Sequence, residues 1–150
     1  MPSVKAATNA EQRLFDASAI LLLAKRCPEQ TSTILENQLR LDLTIYEIGN
    51  AVWKINKLIN KSEKPSALDA VEQACNMIAL MDFRRVEDVE EIVGAMDLAY
   101  EYNLTFYDSC YLFVALKTGV TLVSEDQAIV KAAKKKGIRC ISAADCVELQ

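Results

Sequence analysis

A short apolar strand runs directly into an apolar helix at residues 13–26, R-L-F-D-A-S-A-I-L-L-L-A-K-R. We predict the strand at residues 13–16 and the end of the helix before Cys27, because Pro28 cannot continue it. Asp16 lies at the junction. In a sheet whose strands alternate with helices, ligands bind beyond the carboxyl ends of the strands. Asp16 is therefore a candidate site residue. It is equally a candidate N-cap, since an aspartate there satisfies free backbone N–H groups.

Strand and helix patterns continue to alternate after this first pair. Alternating apolar residues and β-branched runs predict strands within residues 39–44, 81–86, 120–126 and 138–142. Helical spacing of apolar residues predicts helices within residues 45–60, 66–80, 89–103, 104–119 and 127–137. This alternation favours an α/β sandwich around a mainly parallel central sheet flanked by helices. We predict a flexible tail at residues 1–11 and a single domain at residues 12–150.

The composition suits one globular domain in a reducing compartment. Apolar residues make up 51% of the 150 residues, which is enough to bury a core. The apolar runs fall far short of the ~20 residues that span a bilayer, and the first residues lack the apolar core of a secretory signal. The five cysteines are odd in number and form no C-x-x-C pair, which favours free thiols. We therefore expect a cytoplasmic protein with no membrane partner.

The chain contains no histidine. This excludes histidine general bases, Ser-His-Asp triads and metal sites that need imidazole. Hydrolytic chemistry would have to use carboxylates, hydroxyls, thiols or lysines. Because carboxylate oxygens prefer hard cations, a metal site in this chain would suit Mg²⁺ or Mn²⁺.

Four carboxylates are the candidates for such a site. Asp126 follows a predicted strand as Asp16 does, Asp108 lies inside an apolar helix, and Glu47 lies at the margin of an apolar helical stripe. Each also has a structural interpretation: a helix cap for the two junction aspartates, local hydrogen bonds or protonation for Asp108, and a solvated surface for Glu47. If all four converge, they repel one another unless a divalent cation neutralises them. The set therefore predicts metal binding.

The stretches around these acids resemble the PIN-domain ribonucleases, especially the VapC-type toxins of prokaryotic toxin–antitoxin pairs. The similar stretches are L-F-D-A-S-A-I-L-L-L (14–23), L-T-I-Y-E-I-G-N-A-V (43–52), Y-D-S-C-Y-L-F-V-A-L (107–116) and L-V-S-E-D-Q-A-I-V-K-A-A-K-K-K-G-I (122–138). The resemblance covers roughly residues 12 to 145 and matches the family's order of acids, D, E, D, D. The departures are the extra N-terminal residues and Ser109, where the family often has alanine.

The resemblance implies a three-layer PIN-like sandwich that hydrolyses RNA phosphodiester bonds with Mg²⁺ or Mn²⁺. It assigns metal binding and catalysis to Asp16, Glu47, Asp108 and Asp126, with Glu47 as a ligand or an orienter of water. Side chains expected to hold a carboxylate or the substrate phosphate are Ser18, Asn50, Ser124 and Lys134. The family also implies a homodimer and an antitoxin that binds near the active site.

Basic residues are the remaining question, because the formal net charge is −4 and a polyanion needs local cations. One group follows Asp126, namely Lys131, Lys134, Lys135, Lys136 and Arg139. These cations would either contact phosphates or only complement the end of a helix, where positive charge is favourable. A second group, Lys54 and Lys57, follows Glu47.

Three other classes of protein compete with a nuclease. A haloacid-dehalogenase-type phosphotransferase would need a second aspartate two residues after Asp16, where Ser18 stands. A response-regulator receiver would need adjacent acidic residues near the first strand and a matching lysine. A PIN-fold RNA-binding or interaction module without turnover is the serious alternative, although retention of all four acids argues against it.

Overall fold

The computed structural model describes residues 11–150. Its centre is a sheet of five parallel strands, in the order β3-β2-β1-β4-β5. The strands are β1 (Arg13–Phe15), β2 (Leu39–Leu41), β3 (Asp82–Arg84), β4 (Thr121–Val123) and β5 (Cys140–Ile141). Because the strand order reverses between β1 and β4, the crevice beyond their carboxyl ends is where a parallel sheet of this kind binds ligands.

Eight α-helices connect and follow the strands in the described part of the chain. They are α1 (Ala17–Arg26), α2 (Pro28–Leu35), α3 (Leu43–Trp53), α4 (Lys64–Ile78), α5 (Val89–Tyr102), α6 (Phe106–Thr118), α7 (Gln127–Lys136) and α8 (Ala143–Glu148). A π-helical segment, Lys54–Ile59, continues α3. None of the helices in residues 11–150 combines the length and apolar character that crossing a membrane requires.

Alternate residues of the central strands face opposite layers of helices. Phe15 and Val123 pack with apolar residues of α1 to α4 and α8, whereas Leu14 and Leu122 pack with residues of α5 to α7. This alternation is what the period-2 geometry of a strand buried on both faces requires. The predicted α/β sandwich with a parallel sheet flanked by helices is confirmed.

Two predicted boundaries were wrong for local reasons. The strand expected at residues 39–44 ends at Leu41, because the hydroxyl of Thr44 accepts the Leu41 N–H (3.1 Å) and α3 begins at Leu43. The helix expected to continue to residue 60 becomes π-helical after Trp53. There the Asn56 side chain donates to the Val52 carbonyl, and Asn60 N–H reaches back five residues to Ile55. Such i→i+5 bonding defines a π turn.

Two short helices were missed by the sequence analysis. Pro28 ends α1 as expected but also starts α2, since proline is favoured at the first position of a helix. The second missed helix, α8, begins with a capping box in which Ser142 and Asp145 exchange hydrogen bonds. That S-x-x-D spacing was a usable signal. The tail predicted at residues 1–11 lies almost wholly outside the described residues.

Candidate active site

The four candidate carboxylates all belong to segments that start at the carboxyl edge of the sheet. Asp16 directly follows β1, Asp126 lies three residues after the end of β4, and the two residues cap α1 and α7. Glu47 lies near the start of α3, and Asp108 lies in the first turn of α6. Asp16 is only 3% exposed, while the other three are partly buried. The fold thus directs four separate parts of the chain to one edge.

Asp16 is held by two serines and by its own helix. Its Oδ1 accepts hydrogen bonds from the Ser18 hydroxyl (2.7 Å) and the Ala19 N–H (2.9 Å), and its Oδ2 accepts one from Ser124. Each serine oxygen in turn accepts a backbone N–H of the loop after β4, from Glu125 and Asp126 respectively. The buried carboxylate therefore has a fixed orientation and ties the loop after β4 to the end of β1.

Glu47 is positioned by a second relay that passes through a buried tyrosine. The Leu41 N–H donates to the Thr44 hydroxyl, which lies 2.6 Å from the Tyr111 hydroxyl, and Tyr111 donates to Glu47 Oε1 (2.8 Å). Tyr111 is fully buried, and a buried phenol requires a partner for its hydroxyl. Neither Tyr111 nor Thr44 was predicted from the sequence to be part of the site. The signal was a tyrosine in an otherwise apolar helix.

The carboxylates repel one another. Burial is the largest cause of the raised pKa values of Asp16, Glu47 and Asp108, and the charge of a neighbouring carboxylate raises each further. Asp108 acts on Asp16 and Glu47, and Asp126 acts on Asp108. Hydrogen bonds from the serines, Tyr111 and Thr105 oppose these shifts. The result is an edge with several carboxylates whose ionisation a nearby positive charge would favour.

The residues present suit a hard cation that keeps several water ligands better than a cation enclosed entirely by protein ligands. Among residues 11–150, no three histidine, cysteine, aspartate or glutamate side chains converge closely enough to enclose one ion. The expected four-carboxylate cluster is therefore not assembled in this arrangement. Mg²⁺ commonly uses one or two carboxylates and keeps several waters, so the coupled acids suit it without direct contact from all four. A divalent cation would offset the repulsion between these carboxylates.

Asn50, on α3, and Lys54, at the start of the π-helical segment, line the same cleft as Glu47. With Tyr46 and Tyr107 they line an open cleft of about 520 Å³ beside the Glu47 carboxylate. Lys134 lies elsewhere. Because Asp126 caps the start of α7 and the helix rises ~1.5 Å per residue, Lys134 in its last turn is roughly 12 Å from Asp126 along the helix. Contact between Lys134 and the substrate stays a prediction, and the nearby Lys136 lies 3.8 Å from Glu101.

Glu47 provides a prediction about pH and stability. Burial is the main cause that raises its pKa from 4.5 to about 7 in the folded protein. Its contribution to metal-free stability should thus be fully present below pH 4.5 and be lost as the pH rises through about 7. Glu47→Gln cannot ionise, so in chelator its melting temperature relative to wild type should rise across that window. Parallel pH profiles for the two proteins would contradict the assignment.

Comparison with known proteins gives concordant matches. The family model described as PIN domain matches residues 13–135. Exonuclease VapC9 of Pyrobaculum aerophilum is 35% identical over 126 residues, which is 83% of this chain and 86% of the relative. Ribonuclease VapC3 of the same organism is 27% identical over 127 residues, or 79% of this chain and 92% of the relative.

Two solved structures have similar folds. The crystal structure of PAE2754 from Pyrobaculum aerophilum superposes with a TM-score of 0.75 at 30% identity, over 94% of this chain and 96% of that one. A toxin–antitoxin complex from Klebsiella pneumoniae matches with a TM-score of 0.55 at 14% identity, over 77% of this chain and 87% of the other. The second likeness concerns the fold alone.

Proposed function

Because this chain belongs to the PIN domain family, we propose that it is a nuclease that hydrolyses phosphodiester bonds of RNA with the help of Mg²⁺ or Mn²⁺. The observation that carries the proposal is the buried carboxylate of Asp16. Ser18 and Ser124 orient it at the point where the strand order of the sheet reverses. Its charge interacts with those of Asp108 and Glu47. A buried, oriented acid among repelling acids is costly unless a cation uses it.

We assign cation binding, positioning of carboxylates and phosphate contact to different residues according to their surroundings. Asp16, Asp108 and Asp126 would hold the cation directly or through water, and Glu47 would hold it or orient the attacking water. A bound Mg²⁺ or Mn²⁺ supplies a water of lowered pKa and offsets charge on the phosphate oxygens. Ser18 and Ser124 keep Asp16 in place, as Tyr111 does for Glu47. Asn50 and Lys54, on the cleft wall, would contact the phosphate.

The names of the relatives leave open whether cleavage starts at an RNA end. One is called an exonuclease and the other a ribonuclease. We propose internal cleavage, because the cleft beside Glu47 is open to solvent and both flanking tyrosines are exposed, so nothing in the described structure blocks a strand from passing through. The toxin role, an antitoxin partner and a cytoplasmic location complete the proposal and follow from the resemblance to VapC-type proteins.

The experiment is cleavage of a circular single-stranded RNA and its linear counterpart by the purified protein with Mg²⁺. We expect both to be cut, since an endonuclease needs no end. Cleavage of the linear RNA alone would establish an exonuclease. RNA binding without cleavage of either form, in Mg²⁺ or Mn²⁺, would favour the alternative of a PIN-fold module without turnover.

Assembly gives a further prediction. Several large apolar side chains of the α3, π-helical and α4 region are exposed, namely Trp53, Ile55, Leu58, Ile59 and Leu68. Exposed apolar patches of this kind usually mark a protein partner. We expect a homodimer through this face at micromolar concentration, measured by sedimentation velocity. Leu58→Glu should give a monomer, while Val93→Glu, at an exposed apolar position of α5 in the opposite helix layer, should not. A monomeric wild-type protein would contradict the prediction.

A further inference from the structure

Two open clefts at the carboxyl edge of the sheet share one side chain, Tyr46. The first is the cleft of about 520 Å³ that contains Glu47, Asn50, Lys54 and Tyr107. The second, of about 420 Å³, extends toward the ends of β2 and β3 and is lined by Arg40, Phe83 and Arg85 among others. Since Tyr46 lines both, the two clefts adjoin at this residue, and the first of them contains a proposed catalytic carboxylate. We call the two adjoining clefts the Tyr46 track.

Aromatic side chains on this surface are exposed. Tyr46 is 77% exposed and immediately precedes Glu47, and Tyr107 is 62% exposed and immediately precedes Asp108. Phe83, at the other end of the track, is 53% exposed. None of these rings contributes to the core, and exposed rings spaced along a groove are what single-stranded nucleic acids use as stacking platforms. Stacking tolerates any base because each base has a π face.

Arg85 is the cation of the second cleft that is free to meet a phosphate. Its guanidinium lies 5.8 Å from the centre of the Phe83 ring, and no carboxylate of residues 11–150 lies within ion-pair distance. Arg40 lies 5.2 Å from the same ring but already donates to the backbone carbonyls of Ile78 and Leu41. Asp42 and Glu87 also line this cleft, so the cleft does not carry uniform positive charge that would bind any anion. Contact with a phosphate in this cleft would therefore depend on the guanidinium of Arg85.

The sheet order sets the scale of the track. Arg85 follows β3 and Asp16 follows β1, and β2 lies between these two strands in the sheet. At ~4.8 Å between neighbouring strands, their ends lie roughly 10 Å apart across the sheet edge. A strand of a few nucleotides covers this distance. Lys54, at the start of the π-helical segment, lines the first cleft together with Tyr46 but does not line the second.

We infer that the RNA substrate lies along the Tyr46 track, with one base stacked on Tyr46, one phosphate contacted by Arg85 and another by Lys54. This inference rests on the proposed function and adds residues that position the strand. Tyr46 is here a positioning residue, because it holds the strand and does not act on the reacting phosphate. Its removal should therefore affect KM far more than kcat, whereas loss of a group that acts on the scissile bond would lower kcat.

The test measures kcat and KM for a short single-stranded RNA with Mg²⁺. The affinity for the same RNA is measured with proteins that also carry Asp108→Asn, so that binding is observed without rapid cleavage. Tyr46→Ala should raise KM and weaken binding by roughly 5- to 150-fold, the range for loss of one base-stacking ring. Tyr46→Phe keeps the ring and should stay close to wild type. The matched control is Tyr100→Ala, an exposed tyrosine of α5 that lines neither cleft.

The charge contact has its own measurement. Arg85→Gln should reduce the slope of log affinity against log salt by about 0.7, the value for one phosphate contact on a single strand. Arg26→Gln, at the end of α1 that points away from the site, should leave the slope unchanged. Wild-type KM in Tyr46→Ala together with an unchanged slope in Arg85→Gln would overturn the track alone. Failure of the wild-type protein to bind or cleave RNA would overturn the proposed function and the track with it.

Discussion

Cleavage of RNA by the purified protein is expected to stop in excess EDTA and to return when Mg²⁺ or Mn²⁺ is restored. The physical reason is the mutual repulsion of Asp16, Glu47 and Asp108, whose pKa values are raised by burial and by neighbouring carboxylate charge. A divalent cation among them contributes several kcal/mol of stabilisation to a phosphoryl transition state, which corresponds to about three orders of magnitude in rate. The measurement is the initial rate on a labelled single-stranded RNA.

The control for chelation is the fold itself. Circular dichroism in EDTA should be native-like, because the two core layers hold the sheet without any metal. The melting temperature should rise when Mg²⁺ is added, since a ligand that binds only the folded state stabilises it. Undiminished cleavage in EDTA with a native spectrum would exclude a metal mechanism, and the four acids would then need another role.

Asp108→Asn should lower kcat by at least about 100-fold and leave the fold intact. The substituted amide would keep the size of the side chain but lose the charge that a cation needs. Burial is the main cause of the raised pKa of Asp108, and Asp126 raises it further, so the metal-free variant should also melt at a higher temperature than wild type near neutral pH. A rise in stability with a loss of activity separates a functional charge from a structural one.

A matched control for that substitution is Asp97→Asn. Asp97 is an exposed aspartate of α5 and takes part in none of the ion pairs of residues 11–150. Its substitution should change neither the rate nor the melting temperature beyond a small surface effect. Wild-type turnover by Asp108→Asn would move the reacting centre away from the start of α6.

The sequence was sufficient to identify the family, and that resemblance is confirmed. It was also sufficient to locate the two junction aspartates, because strand-to-helix junctions are readable from local patterns. The structure shows the capping role of Asp16 and Asp126, and their role in metal binding and catalysis stays a prediction that capping does not exclude. Both carboxylates cap their helices, with Oδ1 of each accepting backbone N–H groups of the first turn. For Asp126 these hydrogen bonds use one oxygen only, which leaves the other available.

Other features depended on contacts between distant parts of the chain. Nothing near Glu47 in sequence indicates that Tyr111, 64 residues later, donates to its carboxylate. The Tyr46 track is equally non-local, since Arg85 reaches it only because β3 lies beside β2. Contact between Lys134 and the substrate stays a prediction. Lys134 is close to Asp126 in sequence, but the rise of α7 carries it away from the edge where the acids lie.

The hydrogen bond from Ser124 to Asp16 has a consequence for the order of events during translation. It joins residues 108 positions apart, and β1 cannot pair with β4 before residues 121–123 have left the ribosome. Closing so long a loop is slow relative to local folding. The emerging polypeptide therefore carries Asp16 without its final orientation until Ser124 has been made. If this protein cuts RNA as proposed, we expect the nascent chain to lack nuclease activity until this hydrogen bond can form.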